Sequence, residues 1–229
     1  MSQLKFRHET KHFITYSDYL AIRNRLDIIA ERDPYARENN TYFIRSLYFD
    51  NYNDKALHEK LDGINNREKF RIRYYNGDTS IIHLEKKSKI NGLCNKLSKS
   101  LTKEQVEKIL QGDLSFMLEG NNPLLIDLYT KMKNQLLRPR VIVDYVREPF
   151  IYRPGNIRIT FDTKIRSGLY SNDFFNVELP SINAQDSCDS ILMEVKYDEF
   201  IPEVIVMCLQ VNERSASAFS KYAAARRFG

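Results

Sequence analysis

The chain has 229 residues, of which 42% are hydrophobic and 28% charged, with seven prolines and eight glycines. This length and composition predict a folded chain with a sizeable core and exclude a low-complexity protein. The formal net charge of +5 is a modest basic excess, so the placement of the cations matters more than their number.

The first half of the chain shows strand and helix signals in turn. Asn76-Gly77 is a two-residue hairpin signal. Ser17, with Asp18 in the following turn, is typical of a helix N-cap. The predicted elements are a strand over residues 4–15, a helix that Ser17 caps and that ends at Asp33-Pro34, a strand over 41–49, a short helix over 54–61, and paired strands over 69–75 and 80–87.

The second half contains longer helices and another strand pair. Thr102 and Gln105 have the spacing of a capping box. The predicted elements are strand ends and loop over 88–100, helices over 102–110 and 123–137, strands over 140–147 and 156–165 with Pro149 and Pro154-Gly155 between them, a strand over 191–197, and helices over 203–209 and 215–227. Strands with inserted helices predict an α+β fold with a mainly antiparallel sheet. Because no linker or repeat interrupts the pattern, we expect a single domain over residues 1–229.

Several predicted strands carry charge at alternate positions, and alternate residues of a strand point to the same face. Such a face either contacts water or lines the inside of a closed barrel. A bore rich in lysine and arginine favours an anionic occupant, and carboxylates among the cations favour a metal as well. The charged residues that share a face are Arg71 with Arg73, Glu85 with Lys87, Arg158 with Asp162, and Glu194 with Lys196.

Each of these sets has two interpretations. Two adjacent guanidiniums such as Arg71 and Arg73 repel each other unless an anion such as phosphate lies between them, but they also occur on solvated strand faces. The Glu-x-Lys pairs are either surface salt bridges, which contribute little, or carboxylates that hold Mg²⁺ or Mn²⁺ beside lysines that bind phosphate. Asp162 either orients a neighbouring cation or forms a salt bridge at the rim.

The sequence lacks the motifs of several enzyme classes. No HExxH array, no GxSxG and no glycine-rich phosphate loop is present. These absences disfavour zinc hydrolases, serine hydrolases and P-loop enzymes, so any nucleotide would be bound by side-chain cations. No RNA-recognition signature accompanies the aromatic residues, and we expect no nucleic-acid partner.

The cysteines and the N-terminal residues indicate the cellular compartment in which the protein is expected. Cys94, Cys188 and Cys208 are scattered, which predicts neither a disulfide framework nor a zinc site and favours a reducing compartment. Residues 1–20 are polar and no run approaches the ~18 apolar residues of a membrane helix. We therefore expect a cytoplasmic protein without direct membrane insertion, for which any membrane link requires a protein partner.

Eight segments, taken in chain order, resemble the VTC domain, the polyphosphate polymerase domain of the vacuolar transporter chaperone family within the triphosphate tunnel metalloenzymes. The resemblance covers almost the whole chain. The segments are RHETK at 7–11, SLYFD at 46–50, FRIRY at 70–74, LEKK at 84–87, DYVR at 144–147, IRITFD at 157–162, MEVK at 193–196 and FSKY at 219–222.

The resemblance implies an antiparallel β-barrel with an open, charged bore and with inserted and flanking helices. It implies catalytic roles for Arg71, Arg73, Lys87, Arg147 and Arg158, and substrate binding by Lys11, Lys96, Lys196 and Lys221. Glu194 is implied as the main ligand of Mn²⁺ or Mg²⁺, while Glu9 and Glu85 either support the metal or pair with lysines.

Two positions depart from patterns of the superfamily. Arg7 stands where the hydrolytic and cyclase-like branches favour a glutamate, so that R-x-E-x-K replaces E-x-E-x-K and one metal-binding carboxylate is lost. This departure favours the polymerase branch. Ala218 stands where a second lysine near Lys221 is typical, which leaves the contacts to the nucleotide or the entering chain open.

The resemblance implies an ATP-dependent polyphosphate polymerase whose partners are ATP and polyphosphate. A metal-dependent tripolyphosphatase or nucleoside triphosphatase is an alternative, because water can replace the acceptor in the same cavity. A non-catalytic module that binds polyphosphate or inositol phosphates is a third hypothesis. The sequence leaves the metal, the chain length and the oligomeric state open.

Overall fold

The computed structural model describes residues 7–37, 39–185, 190–211 and 215–227. Cys188 and residues 4–6 of the first predicted strand lie outside these ranges. The described ranges contain one sheet of eleven strands: β1 (His8–Ile14), β2 (Glu31–Arg32), β3 (Tyr42–Asp50), β4 (Arg67–Tyr75), β5 (Asp78–Ile90), β6 (Leu93–Leu101), β7 (Arg138–Tyr152), β8 (Ile157–Ser167), β9 (Ile182–Asn183), β10 (Ile191–Tyr197) and β11 (Ser215–Ala216).

The sheet curls until its two ends meet. Its strands pair antiparallel in the order β11-β1-β10-β8-β7-β3-β4-β5-β6, while β2 and β9 add to β7 and β8. The backbone N–H of Arg7, just before β1, donates to the carbonyl of Cys94 in β6 at 3.1 Å, and Cys94 N–H donates back at 3.4 Å. The curled sheet encloses a space that we call the bore, which confirms the predicted α+β antiparallel barrel fold.

Six α-helices and two short 3₁₀ helices accompany the sheet in the described ranges, and none is long and apolar enough to cross a bilayer. Two hydrophobic clusters lie on the outside of the curl, one joining α1 and α5 to β8 and β10, the other joining α3 and α4 to β4 and β5. A third cluster packs α6 against the inner face of β7 at one end of the bore. The helices are α1 (Tyr16–Ile29), α2 (Lys55–Leu61), α3 (Lys103–Gln111), α4 (Pro123–Asn134), α5 (Glu203–Cys208) and α6 (Lys221–Ala225).

Turn chemistry explains the two consecutive hairpins of β4, β5 and β6. Asn76 and Gly77 have φ of 55° and 75°, and Asn91 and Gly92 have φ of 47° and 86°. Two successive residues with positive φ match the right-handed twist of paired strands, and asparagine and glycine adopt this conformation most readily. The first turn confirms the predicted hairpin. The second joins β5 to β6, so the prediction of strand ends and loop over 88–100 was wrong. One face of β6 carries Leu93, Leu97 and Leu101, but Asn95 and Lys99 between them weaken the apolar signal.

Three other boundaries predicted within the described ranges were wrong by four residues or more. The first helix ends at Ile29 rather than at Asp33, because residues 31–32 pair with β7. Strand β7 continues through Pro149 to Tyr152, since one proline removes only one backbone donor from the ladder. Residues 215–216 form β11, and the last helix begins only at Lys221, where Ser220 caps it.

The N-cap of α1 is Thr15, not Ser17. The Thr15 side chain accepts from Asp18 N–H at 3.1 Å, and the Asp18 carboxylate accepts from Thr15 N–H, which completes a capping box. We expect Thr15→Ala to lower the free energy of unfolding by about 1 kcal/mol and Ser17→Ala to lower it far less. Chemical denaturation of both variants checks this, and equal losses would contradict the assignment.

Candidate functional site

Strand alternation places cations inside the bore. On β4, Phe70, Ile72 and Tyr74 belong to the outer hydrophobic cluster, so the residues between them project inward. Lys69, Arg71 and Arg73 accordingly line the bore. The inner face of this strand is therefore cationic and its outer face apolar, which is the arrangement that makes a charged lumen compatible with a packed exterior.

The bore contains a cavity of about 340 Å³, which we call the central cavity. Among the described residues, eleven lysines and arginines but only two carboxylates contribute to its wall. Eleven of the twelve side chains proposed from sequence are part of this wall: Glu9, Lys11, Arg71, Arg73, Lys87, Lys96, Arg147, Arg158, Glu194, Lys196 and Lys221.

The twelfth, Glu85, lies behind the wall and is 2% exposed. Its carboxylate accepts from Arg71 Nε at 2.6 Å and lies 3.9 Å from Arg73. Burial alone would raise the pKa of Glu85, but Arg71 and Arg73 hold it well below its usual range. Tyr48 and Tyr145 hydroxyls accept from Arg71 and Arg73 at 3.1 and 2.7 Å. We therefore propose that Glu85 positions the two guanidiniums rather than binding a metal.

A buried ion network surrounds Glu194. Arg147 makes a bidentate contact to Asp162, at 2.6 and 2.7 Å, and donates to Glu194 at 3.3 Å. Lys221 lies 2.5 Å from Asp162 and 2.8 Å from Glu194, and Lys11 lies 3.2 Å from Glu194. Burial opposes ionisation, but these cations hold the pKa of Glu194 well below its usual range. Asp162 therefore orients neighbouring cations, which is one of the two roles predicted for it from its place on the same strand face as Arg158.

Glu9 forms a second ion network beside the first. Its carboxylate accepts from Lys87 at 2.7 and 2.8 Å and lies 3.5 Å from Lys11 and 3.7 Å from Lys196. Lys11 therefore lies between Glu9 and Glu194. Burial lowers the pKa of Lys196 to about 8, although both glutamates oppose this effect. The cations outnumber the acids here, which is the electrostatic condition for binding an anion.

Arg158 and Lys96 are more exposed than the other lysines and arginines of the wall. Arg158 is 40% exposed and donates to Asp33 at 3.0 Å, and Lys96 is 56% exposed and donates to Glu85 at 3.1 Å. These two side chains are the ones with most freedom to follow an entering ligand.

The residues of the wall that the sequence interpretation missed include Lys69, Tyr48 and Tyr145. Lys69 precedes Arg71 by two positions, so the alternation used for Arg71 and Arg73 would have identified it. The tyrosines also lie on inner strand faces. Burial would raise the pKa of Tyr48, but Arg71, Lys69 and Arg73 together lower it to about 7.

A second cavity of about 430 Å³ adjoins the first. The two share five residues of their walls: Glu9, Lys11, Lys69, Lys87 and Cys94. Lys60, Arg67 and Lys89 add further cations to the second cavity, and α6 contributes Tyr222. The cationic surface therefore continues from the central cavity into the second cavity.

The donor set allows only an incomplete metal site. In the part of the chain that the structure describes, no group of three or more His, Cys, Asp or Glu side chains forms a metal cluster. Glu9 and Glu194, which flank Lys11, are the two carboxylates of the central wall. Mg²⁺ commonly binds through one or two carboxylates plus substrate phosphates, and this pair fits that requirement.

Known proteins resemble the chain in sequence and in fold. A solved protein from Hippeastrum, described as an adenylyl cyclase candidate with a dominant triphosphatase activity, has a TM-score of 0.53 and 13% identity and covers 96% of this chain and 95% of its own. A candidate adenylate cyclase from Bacillus halodurans has a TM-score of 0.50 and 12% identity and covers 84% and 80%. No curated protein sequence matches. The family model of the VTC domain matches residues 6–228, so the chain belongs to the VTC domain family.

Proposed function

We propose that the protein is an ATP-dependent polyphosphate polymerase. The observation that carries the proposal is the cationic bore, in which the central and second cavities adjoin, within a chain of the VTC domain family. A polymerase needs room for a donor triphosphate and for an acceptor chain at once, and two adjoining cavities of about 340 and 430 Å³ supply it.

The reaction breaks the bond between the γ-phosphorus and the β–γ bridging oxygen of ATP. A terminal oxygen of the polyphosphate acceptor forms the new bond to phosphorus, and ADP leaves with the bridging oxygen. The acceptor is already an anion, so the step requires no general base, and catalysis depends on alignment and charge neutralisation. The absence of a histidine-based relay from the sequence motifs is consistent with this chemistry.

We assign the wall cations to two proposed roles. We propose that Arg71, Arg73, Arg147, Arg158 and Lys87 contact the reacting phosphates. Carboxylates or tyrosine hydroxyls hold Arg71, Arg73, Arg147 and Lys87 in place. The other wall cations bind the remaining phosphates of donor and acceptor, and they are Lys11, Lys96, Lys196 and Lys221. Bound Mn²⁺ or Mg²⁺, held by Glu194 and Glu9 together with phosphate oxygens, would offset the charge on the transferred group.

A triphosphatase reaction in the same bore is the second candidate, because the similar Hippeastrum protein is described with a dominant triphosphatase activity. Water would then replace the acceptor. The bore alone does not separate the two reactions, since both need the same clamps on the triphosphate.

Purified protein incubated with ATP and Mn²⁺ tests the proposal. We expect long polyphosphate on a gel and an equivalent release of ADP. Release of free phosphate without polymer would favour the triphosphatase, and tight binding of polyphosphate without turnover would favour a non-catalytic binding module.

We propose a cytoplasmic setting, which suits the free thiols Cys94 and Cys208 and a supply of ATP. A membrane-protein partner remains part of this proposal.

A further inference from the structure

Lys69 differs from the other cations of the central cavity. Within the described residues, each of the remaining ten lysines and arginines in that wall has a carboxylate oxygen within 4.0 Å. Lys69 has no such oxygen among the described side chains, and its Nζ lies 5.3 Å from the centroid of the Tyr48 ring. Its ammonium group is therefore the one in this wall that no described carboxylate contacts.

Lys69 also lies where the two cavities meet, since it contributes to the walls of both. Beyond it, Lys60 and Lys89 of the second cavity likewise have no carboxylate oxygen within 4.0 Å among the side chains that the structure describes. The other described lysines and arginines of the central cavity thus have carboxylate partners, whereas Lys69 and, beyond it, Lys60 and Lys89 have none among the described side chains. A chain that extends from one cavity into the other passes the shared part of the two walls, to which Lys69 belongs.

An enclosed ammonium without an anionic partner favours its neutral form. Burial, together with the neighbouring cations Lys87, Lys11 and Arg71, lowers the pKa of Lys69 to about 7, although Tyr48 opposes this effect. Charged and titratable groups from every neighbouring strand line the central and second cavities with Lys69. They are Arg7, His8, Glu9, Lys11, His12, Tyr48, Lys60, Arg67, Glu68, Arg71, Arg73, Tyr75, Lys87, Lys89, Cys94, Lys96, Tyr145, Arg147, Arg158, Glu194, Lys196, Lys221 and Tyr222. A third, smaller cavity beside Lys69 adds Asp50, Lys55, Glu59 and Lys131.

We propose that Lys69 binds a phosphoryl group of the polyanion at the junction of the two cavities and takes up a proton from solvent as the polyanion enters. This inference rests on the proposed function only in its choice of a polyphosphate ligand. An anion beside Lys69 stabilises the ammonium form, so the folded, liganded protein holds a proton that the empty protein lacks above about pH 7. Binding of polyphosphate should therefore weaken as the pH rises through that range.

Two variants separate charge from titration. Lys69→Arg keeps a cation that does not lose its proton, and Lys69→Met removes the cation but keeps the length of the side chain. Lys108→Met is the matched control, because Lys108 is exposed and lies on α3 outside the bore. Tyr48→Phe removes the other group near Lys69 whose pKa lies close to 7.

Isothermal titration of each protein with inorganic tripolyphosphate, in buffers that differ in ionisation enthalpy, measures the protons taken up on binding. At about pH 8 we expect the wild type to take up roughly one proton more than Lys69→Arg, and at about pH 6 we expect no difference. Tyr48→Phe and Lys108→Met, which keep Lys69, should likewise take up roughly one proton more than Lys69→Arg at about pH 8. Lys69→Met should bind about tenfold more weakly at about pH 6, where the wild-type side chain is charged.

Equal proton counts for the wild type and Lys69→Arg at both pH values would overturn the inference, as would unchanged affinity of Lys69→Met at about pH 6. Thermal denaturation of each variant identifies any that fails to fold, and Lys69→Arg then decides the matter alone. The proposed function is judged separately by polymer synthesis. A protein that takes up the proton but makes no polymer retains this site and loses the polymerase assignment.

Discussion

Replacing Arg71 and Arg73 together by alanine is expected to abolish polymer synthesis, with a loss of at least about 10³-fold in turnover. Both guanidiniums are held before any ligand arrives, Arg71 by Glu85 and Tyr48 and Arg73 by Tyr145. Donors that are fixed in advance stabilise a transferring phosphoryl group without reorganisation, so their loss acts on the transition state. A gel assay for polyphosphate and a parallel assay for ADP measure the effect.

The controls for this prediction separate charge, geometry and folding. Arg153→Ala removes an exposed arginine that pairs with Glu31 on the surface, and it should leave synthesis unchanged. Arg71→Lys with Arg73→Lys keeps the charges but loses the fork, and we expect intermediate activity. Because the double variant leaves the buried Glu85 carboxylate with Lys96 but without Arg71 and Arg73, a melting curve is needed. Full polymer formation by a folded double variant would contradict the proposed site.

The charged lumen could be predicted because of a physical conflict within single strands. A segment such as Phe70-Arg71-Ile72-Arg73 cannot present both of its faces to an apolar layer, so one face must meet solvent or a cavity. When several strands share this conflict, a curled sheet resolves it for all of them at once. The same alternation places Lys69 on the inner face of this strand, although the sequence prediction of the site did not include it.

The position of Lys221 depended on tertiary contacts that no local pattern contains. The sequence predicted a long helix over 215–227, whereas α6 is a short helix anchored inside the barrel end. Tyr222 donates to Asp50 at 2.5 Å, and Arg226 makes a paired contact to Asp54 at 2.7 and 3.0 Å. These anchors come from residues about 170 positions earlier in the chain, so helix propensity could not reveal them.

The role of Glu85 shows a similar limit. Alternation placed Glu85 and Lys87 on one face, and both do project inward on β5. Alternation does not say which side chain covers another within the lumen, and Arg71 lies over the Glu85 carboxylate. The family resemblance offered Glu85 as a metal ligand or as a partner of lysines, and the contact that it makes to Lys96 belongs to the second role.

Glu194→Gln is expected to lower turnover by about 10²- to 10³-fold while the variant binds tripolyphosphate at least as tightly without divalent metal. The carboxylate contacts Lys11, Lys221, Lys196 and Arg147, and its depressed pKa keeps it ionised throughout the neutral range. The amide preserves the shape but removes one negative charge from a lumen in which cations predominate. An anion then gains attraction, whereas a metal loses one of its two proposed carboxylate ligands.

This pair of opposite effects distinguishes a role in transfer from a merely structural one. Misfolding would weaken tripolyphosphate binding, and loss of a simple substrate contact would raise KM without lowering kcat. Glu107→Gln, which alters a half-exposed carboxylate 3.8 Å from Lys103 on α3, should change neither turnover nor tripolyphosphate binding.

The pH profile of turnover supplies a further readout. Without the Glu194 charge the pKa of Lys196, already about 8, should fall, so the loss of activity at alkaline pH should begin at a lower pH. Unchanged turnover with Mn²⁺ would remove Glu194 from the proposed mechanism.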